Sequence, residues 1–362
     1  MTRFVQLHLI TSYPPANLNR DDLGRPKTAV MGGEMRLRIS SQSLKRAWRT
    51  SDLFKSALGG HVGTRTKEMG KQIAETLITK GIGEKKAVEW SQQIAKRFGK
   101  LTEEKNKHPA EIQQLAHFSP EERAAIDDLV EAIAERGSAP TDEELNLLRE
   151  GHTAADIALF GRMLAAAPRY NTEAAAQVAH AISVHKVALE DDFFTAVDDL
   201  NQGLEDVGAG HMGETEFAAG LFYLYLCIDR ELLRENLGGD QALADQALTA
   251  LLESAATVAP TGKQNSFASR ARASFILAEK GDQQPRSLSV AFLSPVTGRR
   301  KHPETGKPFD SMLDEAIFLL RKTRADMEAV YGPCAEGKPA VLNATDPADS
   351  CSLGQLKTYV TE

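Results

Sequence analysis

The stretch RLRISSQSLKRAWRTSDLFK, residues 36–55, predicts a strand that runs directly into a helix. From Arg36 to Ser40, long basic side chains alternate with branched apolar ones, which is the period of a half-buried strand. Ser40 or Ser41 then lies where a side-chain oxygen accepts hydrogen bonds from the first amides of a helix. The stretch therefore predicts a sharp strand–helix corner.

The helix after this corner is predicted to have one basic face and one apolar face. With about 3.6 residues per turn, Gln42, Lys45 and Arg49 fall within one narrow arc, and Arg46 lies beside it. The opposite side carries Leu44, Ala47, Trp48 and Ser51. Free N–H groups at the start of the helix add to the cations, so the corner is predicted to bind anions. The repeated spacing suits a phosphate backbone, and a solvated basic helix face is the alternative.

The distribution of charge favours the first interpretation. The chain is acidic overall, with a formal net charge of −7, yet residues 1–60 hold ten Lys or Arg against four Asp or Glu. That segment therefore carries +6 and the remainder −13. Such asymmetry is typical of a protein that binds a polyanion at one surface while the rest of the chain repels it.

Composition predicts a globular, cytoplasmic protein without a membrane segment. With 362 residues, 42% of them apolar, the chain can bury a large core in two domains, or in one with a large insertion. No run of about 18 apolar residues occurs, and the opening residues alternate like a strand. The three cysteines are scattered, at Cys227, Cys334 and Cys351. This spacing argues against a disulfide framework and a zinc site.

Two parts of the chain separate the first strand, about residues 3–12, from the later strands. Residues 13–34 are rich in Pro and Gly and are predicted to form a loop. On this loop, Arg20 either pairs locally with Asp21 or Asp22 or contacts a ligand. After Gly59-Gly60, about 120 residues read as a helical insertion, either a separate lobe or a partner-binding surface.

Within the insertion, [ST]-x-x-[DE] spacings predict helix starts. They begin at Ser119, Thr141 and Thr153.

Strand patterns return after the insertion. They are predicted at residues 181–187, 193–197, 216–229, 274–278 and 287–293, with helices at 241–258 and 311–330. A glycine-rich hairpin is predicted to project from the sheet, carrying Met212 near its tip; Met212 either contacts a partner or folds back. The order of elements predicts an α+β fold with a ferredoxin-like or RRM-like antiparallel sheet, a fold often used for single-stranded RNA.

Several motifs resemble the CasC family, the backbone subunits of the type I-E CRISPR Cascade complex. They are LNRDD (18–22), RISSQSLKRA (38–47), FTAVDDL (194–200), HMGETEF (211–217) and ENLGG (235–239). The resemblance implies an RRM-like palm, helical fingers and a thumb hairpin. On this basis we expect the palm at 1–58 and 181–362, the fingers at 59–180 and the thumb at about 194–220.

The resemblance also implies roles for individual residues. Contacts to guide RNA are implied for Arg20, Lys27, Gln42, Lys45, Arg49, Lys263 and Gln264. Met163 and Met212 resemble the apolar pair that wedges around a displaced nucleotide. The implied partners are the CRISPR guide RNA, neighbouring copies of the chain, other Cascade subunits and, through the guide, target DNA. No catalytic residue, cofactor, metal or membrane contact is implied.

Two other functions are alternatives to RNA binding. An RNA-cleaving enzyme would use Asp21 and Asp22 as metal ligands, or His8, His180 and His185 as acid and base. Hydrogen-bonded histidines and a loop-capping aspartate explain the same residues without catalysis. A purely structural assembly protein would make no RNA contacts and would purify without nucleic acid.

Overall fold

The computed structural model describes residues 2–196 and 211–362, without the side chains of Ala196, His211 and Met212. The strands in these ranges are β1 (Phe4–Ala16), β2 (Thr28–Met31), β3 (Glu34–Ile39), β4 (Thr64–Thr66), β5 (Ala116–Phe118), β6 (Ala176–Val178), β7 (Ala181–Ser183), β8 (Glu190–Ala196), β9 (His211–Asp229), β10 (Ala273–Gly281) and β11 (Ala340–Asn343). The helices are α1 (Ser41–Thr50), α2 (Asp52–Leu58), α3 (Met69–Thr79), α4 (Glu84–Ala95), α5 (Pro120–Arg136), α6 (Ala155–Phe160), α7 (Arg230–Asn236), α8 (Gln241–Thr257), α9 (Gln264–Phe267), α10 (Met312–Tyr331) and α11 (Leu353–Thr361).

One large sheet organises the strands, in the order β11-β10-β1-β9-β7-β3-β2, with β6 and β8 also paired to β9. The pairs β1–β10, β10–β11, β2–β3, β3–β7, β7–β9 and β8–β9 are antiparallel. Four central strands, β10-β1-β9-β7, have the order of a ferredoxin-like sheet, with α1 and α8 in its two crossovers. The predicted α+β fold is confirmed.

The chain divides into two compact units. The sheet unit comprises Met1–Phe54, Val178–Cys227 and Leu251–Glu362, and the helical unit comprises Lys55–Gln177 and Ile228–Ala250. The second part of the helical unit, which contains α7, lies within the range that the sequence analysis placed in the palm. Among the described residues, no helix combines the length and the apolar character needed to cross a membrane.

Both faces of the sheet in the sheet unit are covered. Leu44 and Trp48 of α1 and Ala255 of α8 lie against Ile39 and Phe222 on one face. The other face packs against the 288–296 segment and α10, and its buried apolar residues are Ile10, Val184, Leu221, Tyr223, Phe275, Leu277, Leu288, Phe292, Val296, Ala316, Ile317 and Leu320. Because side chains alternate along a strand, Leu221 and Tyr223 point to the second face while Phe222 points to the first.

Three details of the sheet unit differ from the sequence-based prediction. The Pro- and Gly-rich pattern predicts a loop at residues 28–31, but these residues form β2, because Gly32 and Gly33 adopt positive φ and close a two-residue hairpin with β3. The apolar pattern of residues 287–293 predicts a strand, but Ser289–Phe292 is a 3₁₀ helix packed on the sheet face. Arg36 is one of the ten cations that make residues 1–60 positive, but it is fully buried.

Arg36 is buried because its guanidinium joins β3 to two other segments. Nη1 donates to the carbonyl of Ser183 at 3.1 Å, and Nη2 donates to the carbonyl of Phe292 at 3.1 Å. These acceptors lie on β7 and in the 3₁₀ helix, so Arg36 fixes the segment that covers the sheet. It is a structural arginine.

The helical unit is built around α3, α4 and α5, whose apolar side chains share one core. The predicted capping box at Ser119 is confirmed: Ser119 Oγ accepts from the Glu122 amide, and the Glu122 carboxylate accepts from the Ser119 amide. The predicted cap at Thr153 is wrong, since α6 is capped at Ala154 without a side-chain bond. Asp156 instead is buried and bonds His117 Nε2 at 2.8 Å.

A buried carboxylate, Glu279 on β10, links the sheet to α10. Its oxygens accept from Arg324 Nε at 2.7 Å and from Arg286 Nη1 at 3.1 Å, and one lies 3.3 Å from His8 Nε2. Burial alone would raise the pKa of Glu279, but His8, Arg324 and Arg286 hold this pKa down at about 2. Burial lowers the pKa of His8, so its uncharged form is favoured.

We expect Glu279→Gln to destabilise the protein by about 3 kcal/mol at neutral pH, because two arginines then lose their shared carboxylate. Because the pKa of Glu279 is lower in the folded protein than in the unfolded chain, where it is about 4.3, its ionised carboxylate stabilises the folded state above that pH. This contribution is lost as the pH falls towards the folded-state pKa of about 2. The free energies of unfolding in urea should therefore differ fully near pH 7, and the difference between the two proteins should shrink as the pH falls from about 4 to about 2.

The control is Asp326→Asn, which breaks an exposed pair with Lys322 on α10. We expect it to cost about 0.5 kcal/mol or less. A Glu279→Gln cost as small as that of the control would contradict the structural role of Glu279.

Candidate nucleic-acid interface

The strand–helix corner forms between β3 and α1 with Ser40 as the capping residue. Ser40 Oγ accepts from the Ser43 amide at 3.3 Å, and the Ser40 carbonyl accepts from the Leu44 amide at 3.1 Å. The burial of Leu44 and Trp48 turns the opposite side of α1 outward. On that side Gln42 is exposed, whereas Lys45 and Arg49 are half-buried.

The first turn of α1 is less open to ligands than the sequence predicted. The Ser41 amide donates to His180 Nδ1 at 3.1 Å, and the Ser43 amide is used by Ser40. The expectation of free N–H groups is therefore wrong for these two donors. An anion at the corner would therefore interact with the positive end of the helix dipole and with neighbouring side chains.

The loop between β1 and β2 is fastened to this corner through Asn19. Asn19 Oδ1 accepts from the Ser40 amide at 2.8 Å, and the Asn19 carbonyl accepts from the Lys27 amide, also at 2.8 Å. Arg20 is exposed and lies opposite Pro26 in an isolated antiparallel bridge. The predicted loop residues Arg20 and Lys27 are thus held beside the start of α1.

Asp21 shapes the tip of that loop. Its Oδ1 accepts from the amides of Leu23 and Arg25, each at 2.9 Å, as in a local side-chain-to-backbone turn. Within the described residues, Arg20 has no ion pair with Asp21 or Asp22, while Arg25 pairs with Glu216 at 3.0 Å. Asp21 therefore orders the loop, and Arg25 forms an ion pair with the β8–β9 hairpin.

Arg38 and His180 belong to the same surface and were not predicted as binding residues. The Arg38 amide donates to the Lys27 carbonyl at 2.8 Å, which places β3 beside the loop. Burial and then the charges of Arg38 and Lys27 lower the pKa of His180. The usable sequence signal was the basic alternation of Arg36 and Arg38, of which only Arg38 is partly exposed.

A third segment, residues 262–264, packs against the Arg20 loop. Gly262 approaches the backbone of residues 17–18 so closely that a Cβ there would lie 2.3 Å from the Leu18 carbonyl oxygen. Lys263 follows in the left-handed region, with φ of 52°, and Gln264 begins α9. The structure thus brings the segments that carry Arg20, Lys27, Gln42, Lys45, Lys263 and Gln264 into one neighbourhood of the sheet unit.

The base of the β8–β9 hairpin borders this neighbourhood. Asn17 Nδ2 donates to the carbonyls of Gly24 and Glu216, each at 2.9 Å, and the rings of Phe217 and Phe267 are 5.6 Å apart. The Met212 backbone pairs with Thr195 in the hairpin. The structure does not describe the Met212 side chain or residues 197–210. These residues include most of the FTAVDDL motif and the predicted tip of the hairpin.

Met163 lies in the helical unit, and its side chain is 81% exposed. Its neighbour Arg162 is buried and bonds Glu122 at 2.7 Å, and it donates to the carbonyls of Tyr170 and Arg149. Gly161, with φ of 79°, ends α6 just before them. A buried arginine therefore fixes the backbone that presents an exposed methionine.

The residues considered for RNA cleavage have other contacts. His8 is buried between Tyr223 and Glu279. His185 donates from Nδ1 to the Lys186 carbonyl at 2.8 Å, and its Nε2 accepts from the Leu221 amide at 3.1 Å. Within residues 2–196 and 211–362, no group of three or more His, Cys, Asp or Glu side chains is arranged to hold a metal ion.

The fold and this surface define an RRM-like protein with cationic and amide side chains gathered at one strand–helix corner. Residues 5–359 match the family described as CT1975-like protein, and the chain belongs to that family. No curated protein sequence matches the chain.

Two similar solved structures are chains of RNA-guided complexes. One, from a "CRISPR RNA-guided surveillance complex, pre-nicking", is 30% identical with a TM-score of 0.82. The other, from a "CRISPR RNA-guided surveillance complex", is 25% identical with a TM-score of 0.72. In both cases the match covers 99% of this chain and 99% of the other. The family membership predicted from the motifs is confirmed.

We expect Asn19→Ala to loosen the Arg20 loop, because the Ser40 amide loses its acceptor, at a cost of about 1 kcal/mol. Hydrogen exchange followed by mass spectrometry should show peptides covering residues 17–27 and 38–44 exchanging about fivefold faster. Asn19→Asp keeps an acceptor oxygen and should exchange like the natural protein. Equal exchange in all three proteins would mean that Asn19 does not fasten the loop.

Proposed function

We propose that the chain is a guide-RNA-binding backbone subunit of a type I-E CRISPR Cascade complex, acting in the cytoplasm in antiviral defence. Copies of the chain line up along one CRISPR RNA, contact other Cascade subunits and hold the guide for pairing with target DNA. The observation that carries the proposal is that hydrogen bonds fasten the Arg20 loop to the start of α1, while Gly262 brings residues 262–264 close to the backbone of that loop. The similarity to chains of RNA-guided surveillance complexes supports it.

The proposed binding surface reads the RNA backbone rather than its bases. Arg20, Lys27, Lys45 and Arg49 supply charge, and Gln42 and Gln264 supply amide groups. Lys263 extends the surface along the third segment. Cations that contact phosphates position a nucleic acid without reading its sequence. Sequence recognition is then left to base pairing between guide and target, as guide-dependent systems require.

The half-buried position of Lys45 suits this role. Burial lowers the pKa of Lys45, because its ammonium group is partly withdrawn from water. A phosphate group at the corner would favour the charged form and offset that penalty. Lys45 is therefore the most informative single residue on which to test the proposal.

In the proposed palm, fingers and thumb, the fingers correspond to residues 59–180 and the thumb to about 194–220. Met163 on the fingers and Met212 on the thumb pack against a displaced nucleotide. The 81% exposure of Met163 supports this role, since a large exposed apolar side chain held by a rigid loop is suited to a contact. Methionine is flexible and polarisable, so it adapts to bases of any identity.

We propose a binding role without catalysis. Supporting observations are the use of Asp21 as a loop-ordering acceptor, the burial of His8 and the saturation of both ring nitrogens of His185. Each of these contacts occupies a group that acid–base or metal-assisted cleavage would need.

We expect Lys45→Ala to weaken guide binding about tenfold for every guide sequence alike, because a charge-assisted contact to phosphate is lost. The slope of log affinity against log salt concentration should fall by about 0.7, the value for one contact to a single strand. Filter binding with two unrelated guides, between about 50 and 200 mM salt, measures both quantities. Lys45→Glu should weaken binding further.

Lys322→Ala is the matched control, since it removes an exposed lysine from α10 on the other side of the sheet. It should leave both affinity and salt slope unchanged. If Lys45→Ala behaves like this control, the proposed binding surface is wrong.

A further inference from the structure

The ring of His180 continues the hydrogen-bond chain of α1 beyond its first residue. The Ser41 amide donates to Nδ1 at 3.1 Å, so Nδ1 must carry a lone pair and not a proton. In the neutral ring the proton is then on Nε2, on the far side of the imidazole. No hydrogen bond from Nε2 to any described residue is formed, and the side chain is exposed.

Two cations and the start of a helix lie near His180. Lys27 lies on the loop before β2, Arg38 lies on β3, and the first turn of α1 contributes its partial positive charge. Protonation of the ring would place a proton on Nδ1 against a donating amide and add a charge beside two cations. Partial desolvation of the ring and then the charges of these two cations lower the pKa of His180, which favours the neutral, Nε2-protonated ring.

We propose that His180 is a further RNA-contacting residue, which donates from Nε2 to a phosphodiester oxygen of the bound strand and relays the positive end of α1 to it. This inference rests on the proposed function of the same surface. The helix polarises the chain from the Ser41 amide through the ring to Nε2, and such chains strengthen one another. The site therefore combines charged contacts from Lys27 and Lys45 with one neutral donor of fixed direction.

Two substitutions separate the relay from a simple capping role. His180→Asn places an amide oxygen near the position of Nδ1, so it still accepts from Ser41, but it has no group at the position of Nε2. His180→Gln places its amide nitrogen near the position of Nε2 and loses the acceptor to Ser41. We expect His180→Asn to melt like the natural protein and to bind a single-stranded guide RNA about tenfold more weakly. We expect His180→Gln to be less stable and to bind more tightly than His180→Asn.

The salt dependence distinguishes a neutral donor from an imidazolium. Because a neutral ring displaces no counterion, the salt slope of His180→Asn should equal that of the natural protein, unlike the slope of Lys45→Ala. The ratio of the RNA affinity of the natural protein to that of His180→Asn should also stay constant between about pH 6.5 and 8. A reduced slope, or a ratio that grows as the pH falls, would overturn the proposal of a neutral contact.

His185→Gln is the matched control, since both nitrogens of His185 are already used within the protein and glutamine can still accept from the Leu221 amide. It should bind the guide within about twofold of the natural protein. If His180→Asn also binds normally, His180 is only a cap for α1 and the inference is wrong. The proposed function fails separately, when Lys45→Ala leaves binding unchanged.

Discussion

The hydrogen bonds of Ser40 hold the interface together. Its amide donates to Asn19, its hydroxyl accepts from Ser43 and its carbonyl begins the ladder of α1. One residue thus ends β3, starts α1 and fastens the loop that bears Arg20 and Lys27. Cations on a separate flexible loop would lose conformational entropy on binding, whereas this loop is ordered before any ligand arrives.

The basic residues of the first 60 positions divide into structural and surface groups. Arg36 is buried under the 3₁₀ helix, and Arg25 pairs with Glu216, so neither adds a free charge to the interface. Arg20, Lys27 and Arg38 lie around the corner itself. Net charge alone therefore overstates the binding surface, and the useful quantity is the number of cations that the hydrogen-bonded loop and α1 bring to one place.

Local patterns predicted the elements that depend on local physics. The cap at Ser40, the capping box at Ser119 and the apolar stripe of Leu44 and Trp48 follow from hydrogen bonds and periodicity within one turn or two. The errors have long-range causes. Ser289–Phe292 looks like a strand, yet it forms a 3₁₀ helix whose apolar side chains pack onto a face of the sheet. The contact between His180 and Ser41 joins residues 139 positions apart, so no spacing in the sequence could indicate it.

The same long-range contact changes the physical picture of the corner. A helix that starts at a bare first turn offers its own amides to an anion, and the ligand must approach the backbone. Here His180 accepts from the Ser41 amide, and in the proposed contact the ring, which lies near Lys27 and Arg38, takes the place of that amide. A side-chain donor can reach a phosphate that the packed loop would keep away from the backbone. In the proposed function, such a donor would hold the RNA backbone at the corner, which leaves the guide bases free for pairing.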